Sequence, residues 1–131
     1  MKREYIKRIS TGAIWEEIVG YSRAVKYKDR IEITGTIALD DDGKIMGVGS
    51  PADQTRRIIE IAGKVLEELG AGFEDVIRTR IFVTDITKWE EVGRVHGEYF
   101  EKSKPATTMV EVSRLIIPKA MVEIEFSAIA D

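Results

Sequence analysis

The chain has no cysteine, a single histidine, three prolines and no apolar run approaching the roughly 20 residues needed to cross a bilayer. Without cysteine there is no disulfide framework, no thiolate nucleophile and no thiolate metal site. A lone imidazole, His96, removes the metal centres that need two or three histidines and most nucleophilic triads, so no metal site is expected. The opening segment MKREYIKRIS is charged and has no apolar stretch behind it, so neither a signal peptide nor a membrane partner is expected, and a cytoplasmic location follows. Charge of one sign is also missing: 20 basic and 23 acidic residues are interspersed and give a net charge of -3. That is not the basic field with which a protein attracts phosphates, so no nucleic-acid partner is expected. What remains for chemistry are carboxylates, hydroxyls, arginines and backbone groups.

The 131 residues are 44% hydrophobic and 33% charged, which suits one domain spanning residues 1–131 with a core of useful size. Two strands, Tyr21–Tyr27 and Arg30–Leu39, read as a hairpin, with Ile31 and Ile33 alternating against Glu32 and Thr34. DDDGK at Asp40–Lys44 reads as a turn. Ser50 as N-cap, Pro51 at the first helical position and Gly70 as terminator bound a helix with an apolar stripe of Ile58, Ile59, Ala62, Val65, Leu66 and Leu69. A strand Val76–Thr84 follows, expected to show Ile77, Thr79, Ile81 and Val83 on one face. The second helix is expected to start with a Thr87/Glu90 capping box and to pack Trp89, Val92, Val95, Tyr99 and Phe100. Strands at Thr107–Val112 and Ala120–Ile129 close the chain. This order favours an α+β domain, one mixed sheet with two helices on one face. Apolar residues Phe82, Met109 and Met121 on the other side suggest self-association.

Glu123 and Glu125 lie two apart on one strand, about 7 Å by the strand rise. They read either as an acid and a base with separated pKa values or as a solvated strand face, and spacing alone favours the second. Glu111 is a third acid on the neighbouring strand. Arg78 and Arg80 form a cationic strip, and Arg23 accompanies Tyr21; such arginines grip a ligand carboxylate or pair with glutamates across the sheet. His96, beside Val95 and Tyr99, reads as packed. Gly47 and Gly49 precede a helix without the strand and lysine that a phosphate loop needs, so loop flexibility is the better account.

Five segments in order, GYSRAV (Gly20–Val25), IEITGTI (Ile31–Ile37), LEELGAGFEDVIRTRIFVTDI (Leu66–Ile86), PATTMVEVSRL (Pro105–Leu115) and VEIEFSAIA (Val122–Ala130), resemble the Rid (reactive intermediate deaminase, YjgF) family over nearly the whole length. The resemblance implies a chorismate-mutase-like fold, a homotrimer with ligand clefts between subunits, a small-molecule ligand and no cofactor. It also implies hydrolysis of enamines and imines such as 2-aminoacrylate to a keto acid and ammonia. Endoribonuclease or translation-inhibitor activity has been attributed to some members, and the acidic balance and lone histidine speak against it. Carried over by position, the cleft tyrosine is Tyr21, the second-strand pair is Thr34 and Gly35, and the glutamate that helps position water is Glu123, the candidate catalytic residue. The family's carboxylate-binding arginine falls on Thr107 and the small residue after it on Met109; a helix asparagine falls near Gly93. Loss of a guanidinium–carboxylate contact typically costs about 2 to 5 kcal/mol, roughly 30-fold to several thousand-fold in affinity. Weak or absent activity on 2-imino acids is therefore expected, with Arg23, Arg80 or Arg114 as replacement cations if one has been relocated. A non-catalytic metabolite-binding module is the alternative.

Overall fold

The computed structural model describes residues 5–131; the first four residues of the charged opening segment lie outside the described residues. Eight main elements follow one another: β1 (Ile6–Ile9), β2 (Ala24–Tyr27), β3 (Arg30–Thr36), α1 (Pro51–Glu68), β4 (Val76–Val83), α2 (Trp89–Phe100), β5 (Ala106–Glu111) and β6 (Val122–Ile129). The strands form one six-stranded sheet in the order β1-β2-β3-β6-β4-β5, antiparallel except for the parallel β4–β5 pair at one edge. The core lies between α1, α2 and one face of the sheet, where Ile31, Ile33, Ile58, Leu66, Ile81, Ile124 and Phe126 are all almost fully buried. This is the α+β, chorismate-mutase-like architecture with both helices on one face.

Local chemistry fixes the helix ends. Ser50 accepts from the Asp53 amide at 3.1 Å, as an N-cap should, with Pro51 opening α1. Gly70, at φ +77, ends it, and Lys26 reaches from β2 to donate to the Leu69 carbonyl at 3.0 Å. Gln54 is fully buried yet satisfied: its amide donates to Lys119 O at 2.9 Å and accepts from the Met121 amide at 2.7 Å, tying α1 to the approach of β6.

Several sequence expectations are corrected. β1 lies in the charged opening segment, where the adjacent Lys7 and Arg8 between Ile6 and Ile9 break the alternation that would announce a strand. β2 starts at Ala24 rather than Tyr21, and β3 ends at Thr36 rather than Leu39. The Thr87/Glu90 box does not form, because Asp85 accepts from both the amide and the hydroxyl of Thr87 in a 3-10 turn, Ile86–Lys88, that precedes α2. Trp89, expected in the core, is exposed at that first turn. Ile77 is exposed while Val76 is buried, because Val76 faces Ala128 and Arg78 already faces Ser127: one extra residue bulges from β4 and reverses the alternation.

Candidate functional site

A second bulge makes the site. Ile33 faces Phe126 and Thr36 faces Ile124, so β3 spends three steps where β6 spends two, and Thr34 and Gly35 are pushed out of register. At the same point β2 gives out, since its first paired residue, Ala24, stands opposite Ile33. The end of β3 therefore has no strand on its β2 side, and the side chain of Arg23 takes that place. Its Nη1 donates to Gly35 O at 2.9 Å and to the Thr36 hydroxyl at 3.2 Å, and its Nε donates to the Thr11 hydroxyl at 3.2 Å. The charge is met by Glu16, whose Oε2 lies 3.4 Å from Nη2, both side chains being nearly buried. The guanidinium also lies 5.7 Å from the centre of the Tyr21 ring, which it holds by a cation–π contact.

Glu16 belongs to a π-helical turn, Glu16–Gly20, closed by the Tyr21 amide on Glu16 O at 2.9 Å and ended by Gly20 at φ +88. Burial pushes its carboxyl up, but donors from Ser10, Thr11 and Ala13 outweigh that and hold it below its ordinary value. It is ionised and spent on Arg23.

Glu123 stands in contrast. The carboxylate rests directly against the backbone of Gly35, so closely that a Cβ there would lie 2.3 Å from its Oε2. It makes no hydrogen bond or ion pair among the described residues. Burial pushes its pKa above the ordinary value, the like charge of Glu125 adds to the shift, and the charge of Arg23 opposes it. Glu125 is half-exposed and turns to Arg80 at 4.0 Å. The solvated-face reading thus fits Glu125 but not Glu123. The two residues border a cleft of about 600 Å³ with Tyr21, Arg23, Thr34 and Gly35, and its far wall is helix α1, including Arg57 and Lys64.

Thr107 and Met109 lie elsewhere. In the parallel pair Thr107 faces Thr79 and Met109 faces Ile81, and Thr79 and Ile81 are buried on the helix side. Glu123 faces Phe82, on the opposite side of the sheet. Within one copy the candidate residues therefore form two groups on two faces: Tyr21, Arg23, Thr34, Gly35 and Glu123 at the bulge, Thr107 and Met109 on the exposed edge strand β5. The Thr107 hydroxyl lies 2.7 Å from that of Thr79, which lies 2.9 Å from His96 Nε2. His96 is stacked on Phe100 and its pKa is lowered by burial.

Of the three candidate replacement cations, Arg23 lines the cleft but four of its five donors are taken by Thr11, Glu16, Gly35 and Thr36; it braces the bulge instead of offering an open guanidinium. Arg80 pairs with Glu125 and borders a neighbouring hollow, and Arg114 is exposed and does not line the cleft. Arg78 donates to the Thr108 hydroxyl, and Glu111 accepts from the Ile86 amide. Gly93 packs near Trp89. Sequence reasoning missed Glu16 and Lys64: the first needs the turn at Glu16–Gly20 to reach Arg23, and the second is one of several charges on the outer side of α1.

Residues 12–130 match the family model described as Endoribonuclease L-PSP. A RutC family protein of Pyrococcus abyssi is 39% identical over 110 residues, 84% of each chain. The chain belongs to the Rid/YjgF family. A 3-aminoacrylate deaminase, RutC, of Acinetobacter baylyi is 32% identical over 104 residues, 79% of this chain and 82% of that protein. Among solved structures, a YjgF/YER057c/UK114 family member from Mycobacterium tuberculosis is 42% identical, with a TM-score of 0.85, covering 95% of this chain and 99% of that one.

Proposed function

We propose that the chain acts as a homotrimer whose ligand clefts lie between copies, and that it hydrolyses a small imine or enamine that places no carboxylate against Thr107. The observation that carries this reading is the split site. A boundary between two copies would bring an unpaired Glu123 over Gly35 on one face and the exposed Thr107–Met109 edge on the other together around one ligand. Water adds to the C=N carbon while the Glu123 carboxylate, more basic than usual, takes a water proton. That proton passes to the nitrogen to give the neutral carbinolamine, which collapses as its hydroxyl proton moves through Glu123 to the departing nitrogen, forming the carbonyl compound and ammonia. Net, an imine and water give a carbonyl compound and ammonia, the overall reaction type of a deaminase such as the RutC relative.

Thr107 cannot grip a carboxylate as a bidentate guanidinium does, which sets this chain apart from carboxylate-binding members. The test is ammonia release from 2-aminoacrylate, 3-aminoacrylate and carboxylate-free imines by the wild type, Glu123→Gln and Thr107→Arg, alongside sedimentation to measure the assembly. Slow turnover of both aminoacrylates, a gain with Thr107→Arg and a loss with Glu123→Gln are expected. Wild-type turnover of 2-aminoacrylate unimproved by the arginine would overturn the reading of Thr107. A monomer in solution would overturn the shared cleft. The involvement of Thr107 in a hydrogen-bond chain to His96 favours a second reading, binding without turnover, which predicts ligand affinity but no ammonia from any imine.

A further inference from the structure

Resting on that inter-copy cleft, we propose that Thr107 receives a hydrogen-bond-donating nitrogen of the ligand, an amide or amine N–H, so that the substrate class is a small neutral amide-like or amine-bearing compound and not an acid. The Thr107 hydroxyl has one proton and two lone pairs. It lies 3.1 Å from Pro105 O and 2.7 Å from the Thr79 hydroxyl, which in turn lies 2.9 Å from His96 Nε2.

Making all three contacts at once fixes one direction. His96 Nε2–H donates to Thr79, Thr79 donates to Thr107, and Thr107 donates to Pro105 O. Run the other way, Thr107 donates to Thr79 and Thr79 donates to His96 Nε2. In both directions the Thr107 proton is used inside the chain, and what the hydroxyl has left to offer on the exposed edge strand is lone-pair capacity. A ligand carboxylate meets electron pairs there, whereas an N–H meets an acceptor held in place by a buried hydroxyl. Met109, two residues on and on the same face, adds an adaptable apolar surface for the ligand's carbon skeleton. Position 107 thus has the opposite hydrogen-bond polarity to a guanidinium.

Two probes with one carbon skeleton test this: 2-oxobutanamide and 2-oxobutanoate, titrated into the assembled protein with the backbone amides followed by NMR. The amide is expected to bind about tenfold more tightly than the acid. Thr107→Val, which keeps the shape and removes the acceptor, is expected to cut that preference about five- to tenfold. Thr79→Val removes the buried hydroxyl that orients Thr107, so that the Thr107 hydroxyl can turn its proton from Pro105 O toward a ligand acceptor; without touching the ligand, it is expected to narrow the preference while both probes still shift the Gly35 amide. If the acid binds as tightly as the amide in the wild type while shifting Gly35, the proposal fails, the cleft stands, and Lys64 becomes the residue holding the charge. An unchanged ratio in Thr107→Val also sinks it. If neither probe shifts Gly35, the cleft reading itself falls, and this proposal with it.

Discussion

Gly35→Ala separates the work of the bulge from the stability of the fold. The added Cβ would lie 2.3 Å from Glu123 Oε2, 2.9 Å from Cδ and 3.3 Å from Cγ. Ordinary contact begins near 3.4 Å, so the carboxylate oxygen must move by about 1 Å. Gly35 is not among the positive-φ residues, so alanine meets no backbone strain, and the loss of unfolded-state freedom contributes about 0.4 to 1 kcal/mol of stability. The group that must yield is the end of a flexible side chain, so the two effects nearly offset, and the unfolding midpoint should stay within a few degrees of wild type. Function should not be spared: a misplacement of about 1 Å of a catalytic group can cost on the order of 100-fold in rate. As the carboxylate swings toward water, its raised pKa should relax toward the ordinary value. The assays are calorimetry, a carbon-detected NMR titration of the Glu123 carboxyl, and ammonia release or probe binding. A variant that unfolds as wild type, turns over as wild type and leaves the Glu123 titration unmoved would refute the role given to this close approach.

Glu123→Gln should raise the unfolding midpoint at neutral pH. The folded state raises the Glu123 pKa, so the stability linked to it is full below the unfolded value and lost as pH rises through the folded one; the difference between variant and wild type should vanish below about pH 4 in a pH series of melts. His96 carries the opposite sign of dependence: burial lowers its pKa, so its contribution is present above the unfolded value near 6.5 and is lost as pH falls through the folded one, a slope that His96→Gln should remove. Gly63→Ala tests the packing of α1, since a Cβ there would lie 2.7 Å from Phe73 Cζ, a ring stacked edge-on against Tyr99 and Phe100; about 1 to 2 kcal/mol of destabilisation in denaturant melts is expected despite the better helix propensity of alanine. Glu16→Gln should leave Arg23 without its counter-charge and lower the Glu123 pKa, read by the same carboxyl titration; an unmoved or raised value would contradict the electrostatic account.

How much of this was legible from residue order depends on period. α1 was legible because its cap, first-turn proline, apolar stripe and terminal glycine all agree, and β6 because Val122, Ile124, Phe126 and Ala128 alternate without interruption. Alternation failed where a strand carries an extra residue: Ile77 inverts the start of β4, and Thr34–Gly35 inverts the end of β3. A bulge leaves no reliable trace in hydrophobic pattern, because one inserted residue looks the same as a strand that simply ends. Tyr21, Gly35 and Glu123 were found by position within family-like segments. That route carries no information about which side of the sheet Thr107 occupies, or that Arg23 is already engaged. Trp89 misled for another reason, since its spacing fits the α2 stripe but the stripe begins only after the turn that Asp85 caps.

The engagement of Arg23 is the step that connects the fold to the chemistry. A guanidinium lining the same cleft as an unpaired carboxylate would ordinarily pair with it, and the pair would lower the carboxylate pKa and remove its value as a base. Two features prevent that here. The missing stretch of β2 draws the Arg23 donors onto Gly35 O and the Thr36 hydroxyl, and the turn at Glu16–Gly20 brings up Glu16, whose own pKa is held down by Ser10, Thr11 and Ala13 so that it stays ionised beside Arg23. Glu123 is left with burial and Glu125 as its dominant influences, both raising its pKa. The bulge that presents Gly35 to Glu123 and the ion pair that holds the bulge are thus one device, and its product is a carboxylate more basic than usual beside an open cleft.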